Sequence, residues 1–279
     1  MTETTQSKPL EPDPAEVEAK EQKLRFMMRG FTRVLVAYSG GVDSTYLAAI
    51  ATQELDKDAI CVTGISASVS EFQRNQCKGL AAEFNFNHRT IETSELEKID
   101  YRRNGADRCF FCKDELYSVL EAISAELGTV VILDGTNADD LSDHRPGRIA
   151  AKQHNVRSPL AEVGFTKEEI RAQSKKHGLP TWDMPASPCL SSRIAKGVPV
   201  TIERLGKVER AEDLLRSMGF REFRVRVHGD LARIEIAGDE MGKILDKSLF
   251  DKINRMFSEI GFRFVTLDLA GFRSGSLNP

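Results

Sequence analysis

Val34-Leu35-Val36-Ala37-Tyr38 is a short run of apolar and β-branched residues that stops abruptly at Ser39-Gly40-Gly41-Val42-Asp43-Ser44. Residues 45–50 then resume with apolar spacing suited to a helix. The pattern predicts a buried strand, a tight glycine loop and a helix start. Gly40 and Gly41 can take backbone angles closed to other residues, so their amides can turn toward a ligand. The helix behind them adds free N–H groups and the positive end of its dipole, a setting that favours a phosphate anion. Ser39 and Ser44 can donate hydroxyl hydrogen bonds, and Asp43 can help hold Mg²⁺ over the phosphates. A lone Gly-Gly after a strand would be an ordinary turn; six suitable residues in one context point to a phosphate loop.

This loop is not a Walker A motif, which needs Gly-Lys and then Ser or Thr at a fixed spacing. Ser-Gly-Gly-Val-Asp-Ser resembles instead the pyrophosphate-binding loop of the N-type ATP pyrophosphatases. That resemblance implies cleavage of ATP to AMP and pyrophosphate. AMP passes to a carbonyl or carboxyl oxygen, from which a nucleophile displaces it.

With 279 residues the chain has room for one large domain and a smaller one. A net charge of −3, from 39 Lys and Arg against 42 Asp and Glu, argues against a dedicated nucleic-acid binder. No apolar run approaches the ~20 residues of a membrane span. The first 14 residues are acidic and polar rather than signal-like, so a cytoplasmic protein without a membrane partner is expected. The five cysteines are Cys61, Cys77, Cys109, Cys112 and Cys189, and an odd count in this setting speaks against a disulfide framework.

Taken in order, residues 1–13 read as a disordered polar tail and residues 15–29 as an amphipathic helix. Strands are expected at 59–65 and 88–91, with a helix over 67–84 between them. A helix over 114–127 then leads to a buried strand at 130–133. Strand alternating with helix is the pattern of a parallel α/β sheet. Asp134-Gly135-Thr136-Asn137 follows the last of these strands, where an open parallel sheet places its ligand crevice. Arg145, Arg148 and Arg157 supply charge suited to phosphate or to a solvated surface. Residues 166–177 form a helix capped by Thr166 with Glu169 and stopped at Gly178. Beyond the proline-rich segment 182–194 the order becomes α-β-β-α-β, with a hairpin at Gly229-Asp230. The division expected is therefore 14–194 for the α/β domain and 195–279 for a smaller α+β domain.

Arg108-Cys109-Phe110-Phe111-Cys112-Lys113 stands just ahead of the helix expected from 114. Cys-x-x-Cys lets both thiolates reach one metal or cluster, and equally fits a redox disulfide. With Cys189 as the third thiol, an open position suits a [4Fe–4S] cluster with a labile iron better than a closed zinc site. Cys189 sits beside Ser191, Ser192 and Arg193, and a nearby guanidinium favours a nucleophilic thiolate. Arg224 and Arg226 share one face of a strand whose other face carries Val225 and Val227, so a basic face turned outward is expected. Gly271-Phe272-Arg273-Ser274-Gly275-Ser276 offers another small-residue and arginine anion site.

Together, the 39–44 loop, Asp134-Gly135-Thr136-Asn137, Pro188-Cys189-Leu190-Ser191-Ser192-Arg193, Arg224-Val225-Arg226 and the 271–276 segment resemble the LarE family, the ATP-dependent sulfur transferases of nickel-pincer cofactor synthesis. The resemblance covers nearly everything after the tail. It implies adenylation of a carboxylate of pyridinium-3,5-biscarboxylic acid mononucleotide, after which a thiolate corresponding to Cys189 displaces AMP. In single-cysteine members that cysteine gives up its own sulfur and becomes dehydroalanine. In three-cysteine members a [4Fe–4S] cluster passes on an extra sulfide. The pair Cys109 and Cys112 places this chain with the latter. Ser39 to Ser44, with Gly135, Thr136 and Asn137, would then hold ATP and Mg²⁺, and Arg224 and Arg226 the substrate's phosphate or carboxylates. Glu212 or Glu235 is available as base or metal ligand. The same resemblance implies a homo-oligomer and partners among other nickel-pincer biosynthesis proteins. A tRNA thiolase would want a basic groove, an amidating synthetase leaves the cysteines unexplained, and a nucleotide-binding regulator would not need so complete a loop.

Overall fold

In the computed structural model, which describes residues 12–141, 146–185 and 188–273, the apolar run before the glycine loop is strand β1 (Val34–Ala37). Ahead of it, Asp13 accepts from the Ala15 N–H (3.0 Å) and Pro14 fills the first turn of α1 (Pro14–Arg29). Next come α2 (Val42–Leu55), β2 (Ala59–Ile65), α3 (Glu71–Glu83) and β3 (Asn87–Glu92). A one-turn α4 (Ile99–Arg102), the long α5 (Arg108–Glu126) and β4 (Val131–Leu133) follow. The α/β part ends with α6 (Pro146–Gln153), the short α7 (Pro159–Glu162) and α8 (Lys167–Lys176). Capping boxes start α3 at Ser70 with Gln73 and α8 at Thr166 with Glu169.

The four strands are all parallel, in the order β3-β2-β1-β4. Alternation along the strands divides the core. Val34 and Val36 pack with Leu24, Met28, Leu47, Ile50 and Ile170 from α1, α2 and α8. Leu35, Ile60, Val62 and Ile132 pack on the other face with Tyr117, Leu120 and Ala150 from α5 and α6. Helices therefore cover both faces, as a parallel sheet requires. The chain winds outward from β1 through β2 to β3 and then returns to pair β4 on the other side of β1. That reversal opens a crevice at the carboxyl ends of β1 and β4.

The second sheet has the order β5-β6-β7, from β5 (Phe223–His228), β6 (Leu231–Ile236) and β7 (Phe264–Leu267). Strands β5 and β6 form the expected hairpin, with Gly229 at φ +62°, while β7 adds in parallel. One sheet face packs on α9 (Ile202–Ser217) and, after the single turn α10 (Met241–Ile244), on α11 (Lys247–Ile260). Tyr101, Leu190 and Ile194 join this second core. Asn104, at φ +57°, sends its side-chain amide to the carbonyls of Ile194, Ala195 and Val198, fastening the two parts together. Among the described residues no helix is long and apolar enough to cross a membrane.

Two expectations are corrected here. The helix expected from 114 begins at Arg108, so Cys109 and Cys112 lie within its first turns rather than ahead of it. The cause is tertiary: the Arg108 guanidinium donates to Asn104 Oδ1 (2.6 Å) and to the Ser191 carbonyl (2.7 Å), fastening a turn that has no side-chain cap. The arginine face of β5 is not turned to solvent; Arg224 and Arg226 are both buried. Arg145 and the segments Ala186-Ser187 and Ser274-Gly275-Ser276 lie outside the described residues.

A buried polar knot ties α1 to α2 and to the end of α8. Glu21 accepts from Tyr46 Oη (2.9 Å) and Arg25 Nε (2.9 Å), with His177 Nε2 at 2.9 Å. Burial alone would raise the Glu21 carboxyl, but His177, Arg25 and Tyr46 hold it at about 2, against an ordinary 4.5. A folded-state pKa below the unfolded one stabilises fully above about 4.5, and that contribution is lost as pH falls toward 2. Glu21→Gln is therefore expected to be less stable at neutral pH. It should also lose less stability than the parent between about pH 4.5 and 2, measured by urea unfolding at stepped pH.

Candidate functional site

The glycine loop leaves β1 at the crevice. Gly40 is at φ +70°, and a Cβ there would stand 2.7 Å from Cys77 Sγ. Gly41 precedes α2 with no side-chain cap, so the first N–H groups of α2 are left without a side-chain partner. Ser44 Oγ accepts from the Ser39 N–H (3.2 Å) and lies 3.0 Å from Ser39 Oγ, which curls the loop on itself. Gln76 of α3 donates to the Gly40 carbonyl (3.0 Å). The result is a small ring of backbone amides and two hydroxyls, the chemistry of a phosphate cradle.

Across the crevice, Gly135 packs directly on the backbone of this loop. A Cβ there would meet Ser44 N at 2.9 Å and the Asp43 carbonyl carbon at 3.2 Å. Behind it Asp134 is almost fully buried, accepting from Tyr117 Oη (2.8 Å), Ser158 Oγ (2.7 Å), Thr136 Oγ1 (3.0 Å) and the Thr136 N–H (3.1 Å). Lys113 Nζ reaches the same carboxylate (3.3 Å) and Tyr117 Oη (2.8 Å). Burial works to raise the Asp134 carboxyl, yet the Lys113 ammonium and these donors hold it below the usual range. Asn137 then turns its side-chain amide toward Asp43 Oδ1 (3.4 Å), while its own Oδ1 accepts from the N–H groups of Asp139 and Asp140. Asp43 meets a second partner, Lys167 of α8, whose Nζ lies 2.5 Å from Oδ2.

The Cys189 segment arches over the same edge of the sheet. Its Leu190 N–H donates to the Ser68 carbonyl (2.9 Å) just beyond β2, and Ser191 Oγ lies 2.7 Å from Tyr101 Oη. Cys109 is exposed, and Cys112 and Cys189 are half-buried. Burial, then Cys189, Glu95 and Cys109, push the Cys112 thiol well above its ordinary pKa. Burial opposes the charge on Arg108, but Cys189, Cys109 and Tyr101 outweigh it and raise its pKa. Arg108 therefore lies within electrostatic reach of Cys109 and Cys189. Among the described residues, however, no three His, Cys, Asp or Glu side chains converge on a single-ion position.

Arg193, expected beside the Cys189 thiol, turns out to shape the loop. It forms a buried fork with Glu212 (2.8 and 3.2 Å) and donates to the carbonyls of Pro188 (2.6 Å) and Cys189 (3.2 Å). Arg226 pairs with Glu235 (3.0 Å) and donates to the Ser192 carbonyl (2.9 Å). Arg224 lies over the Phe272 ring at 4.7 Å; burial first, then Arg193 and Arg226, push it down to about 10. Glu212 and Glu235 are therefore committed to arginines. Arg148 donates to the Leu141 carbonyl and Arg157 pairs with Glu162, so neither reaches the loop. A cavity of about 800 Å³ between Trp182, Lys175, Arg221 and Lys243 includes no residue of the glycine loop and none of the cysteines. Loop geometry rather than cavity size marks the crevice as the site.

No protein-family model matches the chain. An uncharacterized protein of Synechocystis sp. is 40% identical over 262 residues, 94% of this chain and 98% of its own length. The pyridinium-3,5-bisthiocarboxylic acid mononucleotide synthase (LarE) of Lactiplantibacillus plantarum is 36% identical over 265 residues, 95% of either chain. An uncharacterized protein of Methanocaldococcus jannaschii is 30% identical over 242 residues, 87% of this chain and 91% of its own. The chain belongs to the LarE family.

For a LarE-family fold, the parallel sheet is the PP-loop domain and the second sheet its smaller C-terminal companion. The structure gathers the 39–44 loop with Gly135 and Asn137, with Thr136 bonded to Asp134 behind them, and ties α5, which carries Cys109 and Cys112, to the Cys189 segment through Arg108. Sequence reasoning named Asp134 as part of the crevice segment but missed Arg108, Lys113 and Lys167 as partners. Lys113 was detectable, since it follows Cys112 directly and lies four residues before Tyr117 on a helical face. Gly135→Ala would drive a methyl group into the loop backbone. Overpacking of this kind costs about 1–3 kcal/mol, so nucleotide affinity by calorimetry should fall roughly 10–100-fold with the far-UV circular dichroism unchanged.

Proposed function

We propose that this chain is an ATP-dependent sulfur transferase that converts a carboxylate of pyridinium-3,5-biscarboxylic acid mononucleotide to a thiocarboxylate. One observation carries the reading. A chain 36% identical to the Lactiplantibacillus synthase carries a glycine loop with the chemistry of a phosphate cradle, and Arg226 of its buried arginine pair donates to the Ser192 carbonyl of the cysteine segment, which supports the reading. ATP binds with its phosphates on the amides of residues 39–44. A substrate carboxylate oxygen attacks the α-phosphorus, and the bond to the β-phosphate oxygen breaks with its electron pair leaving on pyrophosphate. The mixed anhydride has a carbonyl carbon open to a sulfur nucleophile, and AMP departs when that carbon is attacked. Arg224 and Arg226 serve the substrate's phosphate or carboxylates. Arg224 in particular is buried over the Phe272 ring beside Arg193 and Arg226, a cationic cluster suited to an anion.

Asp43 already accepts a cation in the form of the Lys167 ammonium, so its carboxylate fits Mg²⁺ bound with ATP. Cys109, Cys112 and Cys189 are the thiolates that would hold a [4Fe–4S] cluster, the Cys-x-x-Cys pair supplying two ligands from α5 and the Cys189 segment the third. A cluster held there would supply sulfide beside the activated carbonyl. Cys189 is then a ligand, or in its absence the sacrificial sulfur donor. Anaerobically purified protein should carry about four irons per chain, lost in Cys112→Ala. Cys189→Ala should keep substrate-dependent release of pyrophosphate and lose thiocarboxylate formation, followed by mass spectrometry of the product. Iron-free wild type that gains dehydroalanine at Cys189 would assign the sulfur to the protein instead.

A further inference from the structure

Lys167 is the first residue of α8, 124 positions along the chain from Asp43, yet its Nζ lies 2.5 Å from Asp43 Oδ2. Asp43 is the one acidic side chain of the phosphate loop. The main chain of Lys167 is held firmly. Its N–H donates to Asp139 Oδ2 (2.7 Å), and the cap at Thr166 uses Glu169, itself paired with Lys20 (2.7 Å). Only the aliphatic stem is left to swing, and its end is about one-third exposed at the crevice. A cradle meant for a polyphosphate cannot keep a bare carboxylate without repelling its ligand. Lys167 supplies the balancing positive charge at Asp43.

We propose that Lys167 is a phosphate-binding residue that exchanges partners: it neutralises Asp43 and, when ATP binds with Mg²⁺, yields that carboxylate to the metal and turns to the pyrophosphate end of the nucleotide. The inference rests on the ATP reading above. As the bond between the α-phosphorus and the bridging oxygen breaks, that oxygen keeps the electron pair and pyrophosphate gains negative charge. An ammonium beside it offsets the charge with no proton transferred. The same side chain thus neutralises Asp43 and stabilises the departing group.

Two full-length variants test this, Lys167→Gln and Lys167→Arg, with α,β-methylene-ATP binding titrated against Mg²⁺ and with substrate-dependent pyrophosphate–ATP exchange. Lys167→Gln is expected to weaken analogue binding roughly 10–100-fold and to slow exchange on the order of 100-fold. It should also lower the Mg²⁺ concentration for half-maximal binding, because no ammonium competes for Asp43. Lys167→Arg should restore most of the binding. A glutamine variant that matches wild type in binding and exchange overturns the inference. So does one in which the Mg²⁺ requirement rises together with a fall in melting temperature, since that is the signature of a merely structural pair. Wild type that neither binds the analogue nor exchanges pyrophosphate would overturn the ATP reading itself, whereas normal wild-type behaviour with an unaltered glutamine variant would sink only the role of Lys167.

Discussion

A parallel sheet whose strand order reverses at β1 cannot close its carboxyl edge between β1 and β4, and everything functional in this chain depends on that gap. The connection after β1 and the connection after β4 leave the sheet in opposite senses, so the backbone between them is open to a ligand. Into the gap the chain places two glycine-bearing segments, 39–44 and 134–137, that touch through Gly135 and the main chain of Ser44. No side chain could occupy that contact. The candidate nucleotide site is thus a consequence of strand order first and of residue chemistry second.

Charge buried around the gap holds it open in one shape. Arg193 with Glu212 and Arg226 with Glu235 are each removed from water, as is Asp134 beside its partly exposed partner Lys113, a process that costs several kcal/mol per ion before pairing returns it. Such pairs contribute less to net stability than to position. Lys113 and Asp134 fix the loop after β4 against helix α5. Arg193 and Glu212 fix the cysteine segment against α9, and Arg226 draws the same segment onto β5 through the Ser192 carbonyl. The cysteine therefore stands on a strap pinned from both domains, while its neighbours Cys109 and Cys112 sit on a helix anchored to that strap by Arg108.

Much of the architecture was legible from local pattern. The run of apolar residues into Ser-Gly-Gly, the capping box at Thr166 and Glu169 and the Gly229-Asp230 hairpin are short-range signals, and each marks an element whose stability is mainly local or whose burial is nearly total. The start of α5 was not legible, because the turn from Arg108 is held by Asn104 and by Ser191, 83 residues away. The burial of Arg224 and Arg226 was hidden for a related reason. Period-two alternation separates the faces of a strand but does not say whether the polar face meets water or another part of the chain.

The sequence by itself determined the phosphate loop, the alternating α/β order, the hairpin domain and the family, since all of these rest on residue type, spacing and direct likeness. Only the tertiary structure decided the partners of the charged groups: that Lys167 meets Asp43, that Arg193 pairs with Glu212 and the Pro188 carbonyl, and that Arg108 ties α5 to the Ser191 carbonyl. The physical reason is that a glycine turn or a cap is specified by neighbours a few residues apart. An ion pair between distant elements is specified by packing and desolvation, which exist only once the chain has folded.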